Sequence, residues 1–319
     1  GVKMVNSTLD MRDAFFKSLY TIAKNDKSVM LLSNDFGAPS LDIFRKELAS
    51  QYLNCGISEQ NMISVAAGLA LSEKKVYIYG ILPFVTLRCL EQIKIDLCKM
   101  KLPVVIVGVG AGYAYESAGP THHGIDDIGI MRMLEHLTIL NASDSILAEN
   151  FAEYSYRTHL PMYIRFDRGR TPLLYSEKTV QLEKGVAMVC EGDDICIVST
   201  GLMTNTANEV AENLKKHSIS SAVIDCFCLK PFNSSLFLEK TKKFSKIITL
   251  EEHLIDGGLG SIICETMADN AIGKSIKRIA IPNNKAYTYS PRHSLKEYFG
   301  WDLESLTQTI VKFFLNGQQ

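Results

Sequence analysis

The chain has 319 residues, 46% of them hydrophobic and 22% charged, which is the balance of a globular protein large enough for two domains. Its formal net charge of −1 excludes a global electrostatic field that recruits nucleic acid or an anionic membrane, although a local basic cluster can still bind a phosphate. No signal-peptide pattern occurs, and no apolar run reaches the roughly 18 residues of a membrane span. We therefore expect a cytoplasmic protein with no nucleic-acid or membrane partner.

The eight cysteines are scattered, mostly within apolar segments. Only Cys226 and Cys228 lie close together, and on a strand this spacing points both side chains to one face without making a zinc site. The pattern predicts buried, reduced thiols.

Apolar strands alternate with amphipathic helices along the chain, and a capping box at residues 7–10 is predicted to open the first helix. The next elements are predicted as a strand at 28–33, a helix at 58–72, a strand at 76–82, a helix at 84–100, and strands at 103–109 and 160–166. The strand at 103–109 is nearly continuous Val and Ile, which is typical of a parallel sheet covered by helices on both faces.

A turn-rich stretch at 168–172 and a polar segment to about Glu183 mark the predicted domain boundary. The second unit is predicted to contain a strand at 195–199, a helix at 205–216, strands at 222–226 and 247–250, and a helix from Gly260. We predict an α/β fold with two domains, residues 1–182 and 183–319, each a mainly parallel sheet flanked by helices.

A first motif surrounds Glu59, at a predicted strand-to-helix turn. Residues 54–61 read Asn-Cys-Gly-Ile-Ser-Glu-Gln-Asn, and small residues at 66–70 permit close packing of the helix that follows. Taken alone, a glutamate in the first turn of a helix favours the helix dipole and need carry no chemistry.

A second motif, Gly-Pro-Thr-His-His-Gly-Ile-Asp-Asp at 119–127, contains two adjacent histidines. Neighbouring side chains diverge, and no further ligands stand at metal spacing, so the motif does not favour a metal site. A turn that presents one histidine into a cleft at the carboxyl end of a strand is the better interpretation.

A third motif, Tyr-Ile-Arg-Phe-Asp-Arg-Gly at 163–169, is a predicted strand that ends near Arg165 and Arg168. If the strand extends through them, both arginines are expected on one face. A solvated strand end and a bidentate clamp for an anionic substrate group are both compatible with these residues.

These motifs occur together and in order, and in that combination they resemble the C-terminal section of transketolases, to which deoxyxylulose-phosphate synthases are related. The resemblance covers nearly the whole chain. The matching strings are Gly-Ile-Ser-Glu-Gln at 56–60, Phe-Val-Thr-Leu-Arg-Cys-Leu-Glu-Gln-Ile at 84–93, Gly-Pro-Thr-His-His at 119–123, Asp225 with Lys230-Pro231, Thr-Leu-Glu-Glu-His at 249–253 and Gly-Gly-Leu-Gly-Ser at 257–261. The resemblance implies a pyrimidine-binding domain with its linker at 1–182 and a transketolase C-terminal domain at 183–319.

The resemblance also implies roles for particular residues around thiamine diphosphate. Glu59 matches the glutamate that contacts the aminopyrimidine, where a carboxylate in an apolar pocket can share a proton with the ring nitrogen. Phe84 matches the aromatic residue that stacks on the pyrimidine, and Ile81 and Leu87 are expected to line its pocket. His122 matches a histidine that faces the reaction centre and the substrate, as a proton shuttle or a hydrogen-bond donor.

Arg12 and Arg168 match the arginines that hold the phosphate of the substrate, and Arg165 is a further candidate. The sequence departs from the family at two positions. Gly110 and Ala118 stand where relatives carry a histidine and an acidic residue that contact the donor sugar, which predicts a departure from standard pentose-phosphate chemistry.

Full-length relatives bind magnesium and the diphosphate through a Gly-Asp-Gly motif in a further N-terminal domain. The nearest string here, Gly-Asp-Asp at 192–194, lacks that context. The resemblance therefore implies one subunit of a split enzyme, an α2β2 assembly with Mg²⁺ held by the partner, acting on small sugar or keto substrates. Two alternatives stay open: the beta subunit of the first component of a 2-oxo-acid dehydrogenase, and a non-catalytic partner subunit.

Overall fold

The computed structural model describes residues 7, 9–35, 37–176, 181–285 and 289–316, and within them twelve strands form two sheets. The strands are β1 (Val29–Ser33), β2 (Tyr52–Asn54), β3 (Lys75–Ile81), β4 (Val104–Val109), β5 (Thr138–Asn141), β6 (Met162–Phe166), β7 (Val186–Cys190), β8 (Ile195–Ser199), β9 (Ser221–Cys226), β10 (Cys228–Lys230), β11 (Lys246–Leu254) and β12 (Ser275–Ile281).

Helices cover the sheets, and the described residues contain no helix that is both long and apolar enough to cross a membrane. The α-helical segments are α1 (Met11–Asn25), α2 (Asp42–Glu47), α3 (Glu59–Leu71), α4 (Leu82–Val85), α5 (Leu90–Gln92), α6 (Asp127–Met131), α7 (Ser145–Arg157), α8 (Met203–Leu214), α9 (Ser234–Thr241), α10 (Leu259–Asp269), α11 (Arg292–Phe299) and α12 (Leu303–Leu315).

The first sheet has seven strands in the order β10-β5-β6-β4-β3-β1-β2, and the second has five in the order β12-β11-β8-β9-β7. All pairs are parallel except those that β10 makes with β5 and β7 makes with β9. Strand β4 is buried along its whole length, as its run of Val and Ile requires in a sheet covered on both faces. The predicted fold class, two α/β units with mainly parallel sheets, is confirmed.

Two predicted helices differ in the structure. The first helix begins at Met11 with Asp10 as its N-cap, because the Asp10 carboxylate accepts the backbone N–H of Asp13 at 2.8 Å. The predicted helix at 84–100 is interrupted at Thr86, whose backbone dihedrals (φ −121°, ψ −84°) are not helical and whose hydroxyl donates to the Leu82 carbonyl at 2.7 Å. Short segments of different helical pitch follow as far as residue 99.

Asp225 joins the two units at a buried junction. Its carboxylate accepts hydrogen bonds from Ser143 at 2.5 Å, Tyr175 at 2.8 Å and Thr204 at 3.0 Å. These three hydroxyls come from the first unit, from the connecting segment and from helix α8 of the second unit. Burial raises the pKa of Asp225 to about 7, although the three hydrogen bonds oppose the shift.

Candidate functional site

Most of the predicted site residues lie at or just after the carboxyl ends of four parallel strands, β6, β4, β3 and β2. Arg12, on α1, and Arg165, inside β6, are the exceptions. Ile81 is the last residue of β3, and Glu59 opens α3 shortly after β2. His122 lies on the long loop after β4, and Arg168 follows β6 by two residues. This edge of an open α/β sheet is where such folds bind ligands.

Glu59 is a buried carboxylate, with only 5% of the residue exposed. It accepts hydrogen bonds from the side-chain amide of Asn34 and from the guanidinium of Arg88, each at 3.1 Å. Burial raises the pKa of Glu59, but hydrogen bonds from its own backbone, Asn34 and Arg88 lower it below its usual value. The carboxylate is therefore ionised at neutral pH.

Phe84 connects this carboxylate to His122. The imidazole of His122 lies edge-on to the Phe84 ring, with the ring centroids 4.9 Å apart, and the guanidinium carbon of Arg88 lies 4.1 Å from the Phe84 centroid. Burial lowers the pKa of His122, and the positive charge of Arg88 lowers it further. His122 is thus a neutral imidazole at pH 7, able to accept a proton.

A cavity of about 300 Å³ opens beside these rings. Phe84, Leu87 and Arg88 form one side, and residues of the His122 loop and Leu254 from the second unit lie across from them. Ile81 is buried at the end of β3, beneath this region, so the two apolar residues predicted to line a pocket lie at different depths.

The loop that carries His122 is closed at its base. Gly112 and Gly124 exchange two backbone hydrogen bonds, at 2.7 and 2.9 Å. Gly112 has a φ of +61°, and a Cβ at this position would collide with the side chain of Glu252, so glycine is required. Glu252 comes from the second unit and accepts the backbone N–H of Tyr113 at 2.7 Å.

Tyr115, on the same loop, brings the two predicted phosphate-binding arginines into one neighbourhood. The guanidinium of Arg168 lies 4.4 Å from the centroid of the Tyr115 ring. Burial raises the pKa of Tyr115, and the positive charges of Arg168 and Arg12 partly oppose that shift. Arg12 also pairs with Asp13 at 3.0 Å and with Asp10 at 3.4 Å.

Gly110, one of the two departures from the family pattern, is packed against Tyr115. Its φ is +109°, and a Cβ built there would overlap the Tyr115 ring. The space beside the Cα of Gly110 is therefore filled by an aromatic ring from five residues further along the chain.

Arg165 is buried inside the protein. Strand β6 ends at Phe166, one residue later, so Arg165 and Arg168 do not share a strand face. Its guanidinium donates to Asp127 at 2.9 Å and to the Gly124 carbonyl at 2.7 Å. Both partners belong to the His122 loop and the helix after it, so we assign Arg165 to the support of that loop.

His123, next to His122, is buried and packs edge-on against Tyr113, with ring centroids 4.8 Å apart. In the part of the chain that the structure describes, no group of three His, Cys, Asp or Glu side chains is placed to hold a metal ion.

The sequence motifs did not indicate Asn34, Arg88 and Tyr115 as members of this region, nor Arg292, which pairs with Asp167 and Glu252 beside Arg168. Two of them had a signal in the sequence. Asn34 directly follows a predicted strand, and Arg88 lies inside the string at 84–93 on which the family resemblance depends.

Comparison with known proteins follows the same two-part division. Residues 7–172 match the profile of the transketolase pyrimidine binding domain, and residues 184–306 match that of the transketolase C-terminal domain. The chain is 31% identical to one of the subunits of the apulose-4-phosphate transketolase of Phocaeicola vulgatus, over 97% of this chain and 99% of that protein. It is 29% identical to 1-deoxy-D-xylulose-5-phosphate synthase of Caldanaerobacter subterraneus over 94% of this chain and 48% of that enzyme.

Among solved structures, a split-gene transketolase described as an inactive beta4 tetramer matches with a TM-score of 0.86 and 27% identity, covering 95% of this chain and 98% of that one. A transketolase from Pichia stipitis matches with a TM-score of 0.76 at 16% identity, covering 98% of this chain and 47% of that one, which shows the shared fold.

Proposed function

The chain belongs to the transketolase family of transferases, which depend on thiamine diphosphate, and we propose that it is the subunit of a split enzyme that holds the pyrimidine end of this cofactor. In this proposal the enzyme transfers a ketol or acyl fragment from a donor to an aldehyde acceptor. The observation that carries it is the meeting of Glu59, Phe84 and His122 at the carboxyl edge of the first sheet.

The donor groups at this edge fit an aminopyrimidine. A buried carboxylate, ionised at neutral pH, is joined through Arg88 to the aromatic ring of Phe84. Leu87 lines the cavity beside that ring, and Ile81 ends the strand directly before the helix of Phe84. Thiamine diphosphate, when bound, supplies an acidic thiazolium carbon–hydrogen bond and an amino group that takes up its proton. Glu59 would hold a proton at the pyrimidine ring nitrogen, and Phe84 would stack on the ring.

His122 and the two arginines would act on the substrate. A neutral imidazole against the Phe84 ring can accept a proton from a substrate hydroxyl and return it later. Arg168 and Arg12, both close to Tyr115, would bind an anionic group of the substrate. The acidic neighbours of Arg12 leave Arg168, which is exposed, as the stronger of the two.

The diphosphate and its magnesium ion would be held by a separate subunit, as an α2β2 assembly. Mg²⁺ needs several oxygen ligands, and no cluster of acidic or histidine side chains in the described residues supplies them. The surface beside Glu59 supports a docked partner, because Ile57, two residues earlier, is 79% exposed and Leu53 is 40% exposed.

Replacing Glu59 by Gln tests the proposal. In the complex with the diphosphate-binding subunit, we expect hydrogen–deuterium exchange at the thiazolium carbon to slow by about a hundredfold or more, since the shared proton is lost. Glu135→Gln is the matched control, because Glu135 also pairs with a cation, Lys99, but lies on the surface. Wild-type exchange in the Glu59→Gln complex would refute the assignment.

A further inference from the structure

Arg88 makes both of the contacts that the proposed function assigns to the cofactor's pyrimidine. Its guanidinium lies against the face of Phe84, 4.1 Å from the ring centroid. One of its nitrogens donates to the Glu59 carboxylate at 3.1 Å. A single side chain therefore covers the aromatic face and neutralises the carboxylate.

The chemistry of the two groups explains why one can replace the other. A guanidinium is planar, delocalised and positively charged, stacks on aromatic rings, and directs N–H donors in its plane toward a carboxylate. A protonated aminopyrimidine has the same features: a flat ring, a positive charge and in-plane N–H groups. Both cannot occupy the face of Phe84 beside Glu59 at once.

The side chain of Arg88 is exposed enough to move away from Glu59 and Phe84. Its side chain is 43% exposed, whereas that of Glu59 is 5% exposed, so the ion pair is buried on one side only. Arg88 lies in the short turn that follows the interruption at Thr86. Its carbonyl accepts a hydrogen bond from Gln60 at 3.1 Å, which fixes the backbone while the side chain remains free to change rotamer.

We propose that Arg88 is a built-in competitor for the pyrimidine site, which closes the site in the cofactor-free chain and is displaced when the pyrimidine binds. The inference rests on the proposed function. This role of Arg88 also supplies a cation for the buried Glu59 carboxylate when no pyrimidine is bound. Without Arg88, the side-chain partner that Glu59 retains among the described residues is the uncharged amide of Asn34.

The test uses the full chain and hydroxymethylpyrimidine, the free alcohol of the pyrimidine half of thiamine, titrated by NMR. Replacing Arg88 by Met keeps an apolar stem of similar length and removes the guanidinium. We expect Arg88→Met to bind the probe about tenfold more tightly than the wild type, because a stacked cation and a half-exposed ion pair no longer have to be displaced. In the same samples, carboxyl NMR should show a higher pKa for Glu59 in the variant.

Arg45→Met is the matched control, since Arg45 also stacks on an aromatic ring, Tyr52 at 5.2 Å, and pairs with a carboxylate, Asp42, away from this site. Its affinity for the probe should equal that of the wild type. The double variant Arg88→Met/Glu59→Gln should lose the gain. If Arg88→Met does not fold, Arg88→Lys keeps the charge without the planar stack and should bind about threefold more tightly.

Equal or weaker binding by the Arg88 variant would overturn the inference, and so would a gain that survives the loss of Glu59, because the probe would then be binding elsewhere. Exchange at the thiazolium carbon decides the proposed function separately. Suppose that Glu59→Gln slows this exchange strongly but Arg88→Met does not bind the probe more tightly. The competitor role of Arg88 would then be refuted, and the assignment of the cofactor site would be retained.

Discussion

Arg292 donates hydrogen bonds to both carboxylate oxygens of Asp167, at 2.7 and 2.5 Å. The same guanidinium also contacts Glu252, at 3.1 and 2.9 Å. Asp167 precedes Arg168 just after β6, whereas Arg292 begins helix α11, so this buried ion pair ties the second unit to the Arg168 side of the candidate site. The backbone N–H of Arg292 also donates to Glu116 on the His122 loop.

Replacing Arg292 by Met should therefore destabilise the protein strongly. The change leaves two buried carboxylates, Asp167 and Glu252, without their cation, which costs about 3–5 kcal/mol of the free energy of unfolding. Urea unfolding measures the loss. Arg132→Met is the control, because the partner of Arg132, Glu265, is more than half exposed and such pairs contribute about 1 kcal/mol or less. A loss below about 1 kcal/mol for Arg292→Met would contradict the role of the cluster.

Asp225 should make stability fall as the pH rises toward and through neutrality. Its pKa is about 7 in the folded protein and about 3.9 in the unfolded chain, so the folded state favours the protonated carboxyl. This contribution is complete below pH 3.9 and is lost as the pH rises from there through 7. Between pH 6 and pH 8 the remaining loss of stability corresponds to about 1.4 kcal/mol.

Asp225→Asn removes this titration, so the wild type should lose about 1.4 kcal/mol of unfolding free energy relative to the variant between these two pH values. Unfolding curves of both proteins at pH 6 and pH 8 give the difference directly. A difference that does not change with pH would mean that the three hydroxyl donors keep Asp225 ionised throughout.

The isolated chain should neither bind thiamine diphosphate tightly nor catalyse transfer. A stacking face and one carboxylate contribute a few kcal/mol at most, which the entropy cost of association largely offsets. A partner of roughly 250–300 residues, the size of a large α/β domain, should restore binding and activity. Calorimetry with cofactor and Mg²⁺, with and without the partner, measures this. Micromolar binding by the chain alone would reveal a diphosphate site within it.

Xylulose 5-phosphate should be a poor donor for the assembled enzyme. The family resemblance predicts a histidine and an acid that contact this donor, and the chain has Gly110 and Ala118 at the matching positions. The ring of Tyr115 occupies the space beside Gly110. A steady-state panel of ketose phosphates and other anionic donors tests the expectation, and efficient turnover of the common ketose phosphates would contradict it.

The sequence predicts those elements whose signal is local. Strands β3 and β4 are continuous apolar runs, and their bounds agree with prediction to within one residue at each end. Strand β10 was not predicted, because three residues gain strand structure only by pairing with β5, almost ninety positions earlier. The helix interruption at Thr86 was not predicted for a similar reason. It accompanies a buried hydrogen bond from the Thr86 hydroxyl to the Leu82 carbonyl, and the periodicity of apolar side chains does not reveal such a bond.

The site shows the same limit. Motif order predicts Glu59, Phe84 and His122 as site residues. In the structure Arg88 contacts both Glu59 and Phe84, and His122 packs against Phe84. The position of Arg88 over Phe84 depends on the rotamer of the Arg88 side chain and on the helix interruption at Thr86. The ion pairs of Arg292 depend on how the two units pack. Neither feature produces a periodic pattern in the amino-acid sequence.

Strand β10 has a consequence for any attempt to divide this protein. It lies in the second half of the sequence, yet it closes the β5 side of the first sheet. A fragment cut at residue 182 would expose the backbone N–H and C=O groups of β5 as an open edge, which recruits other chains. We expect such a fragment to aggregate. A fragment that runs on to residue 230 keeps β10 but leaves β8 without its partner β11, so it opens an edge in the second sheet instead. The residues that complete the first sheet therefore extend past the domain boundary, and neither cut leaves both sheets whole.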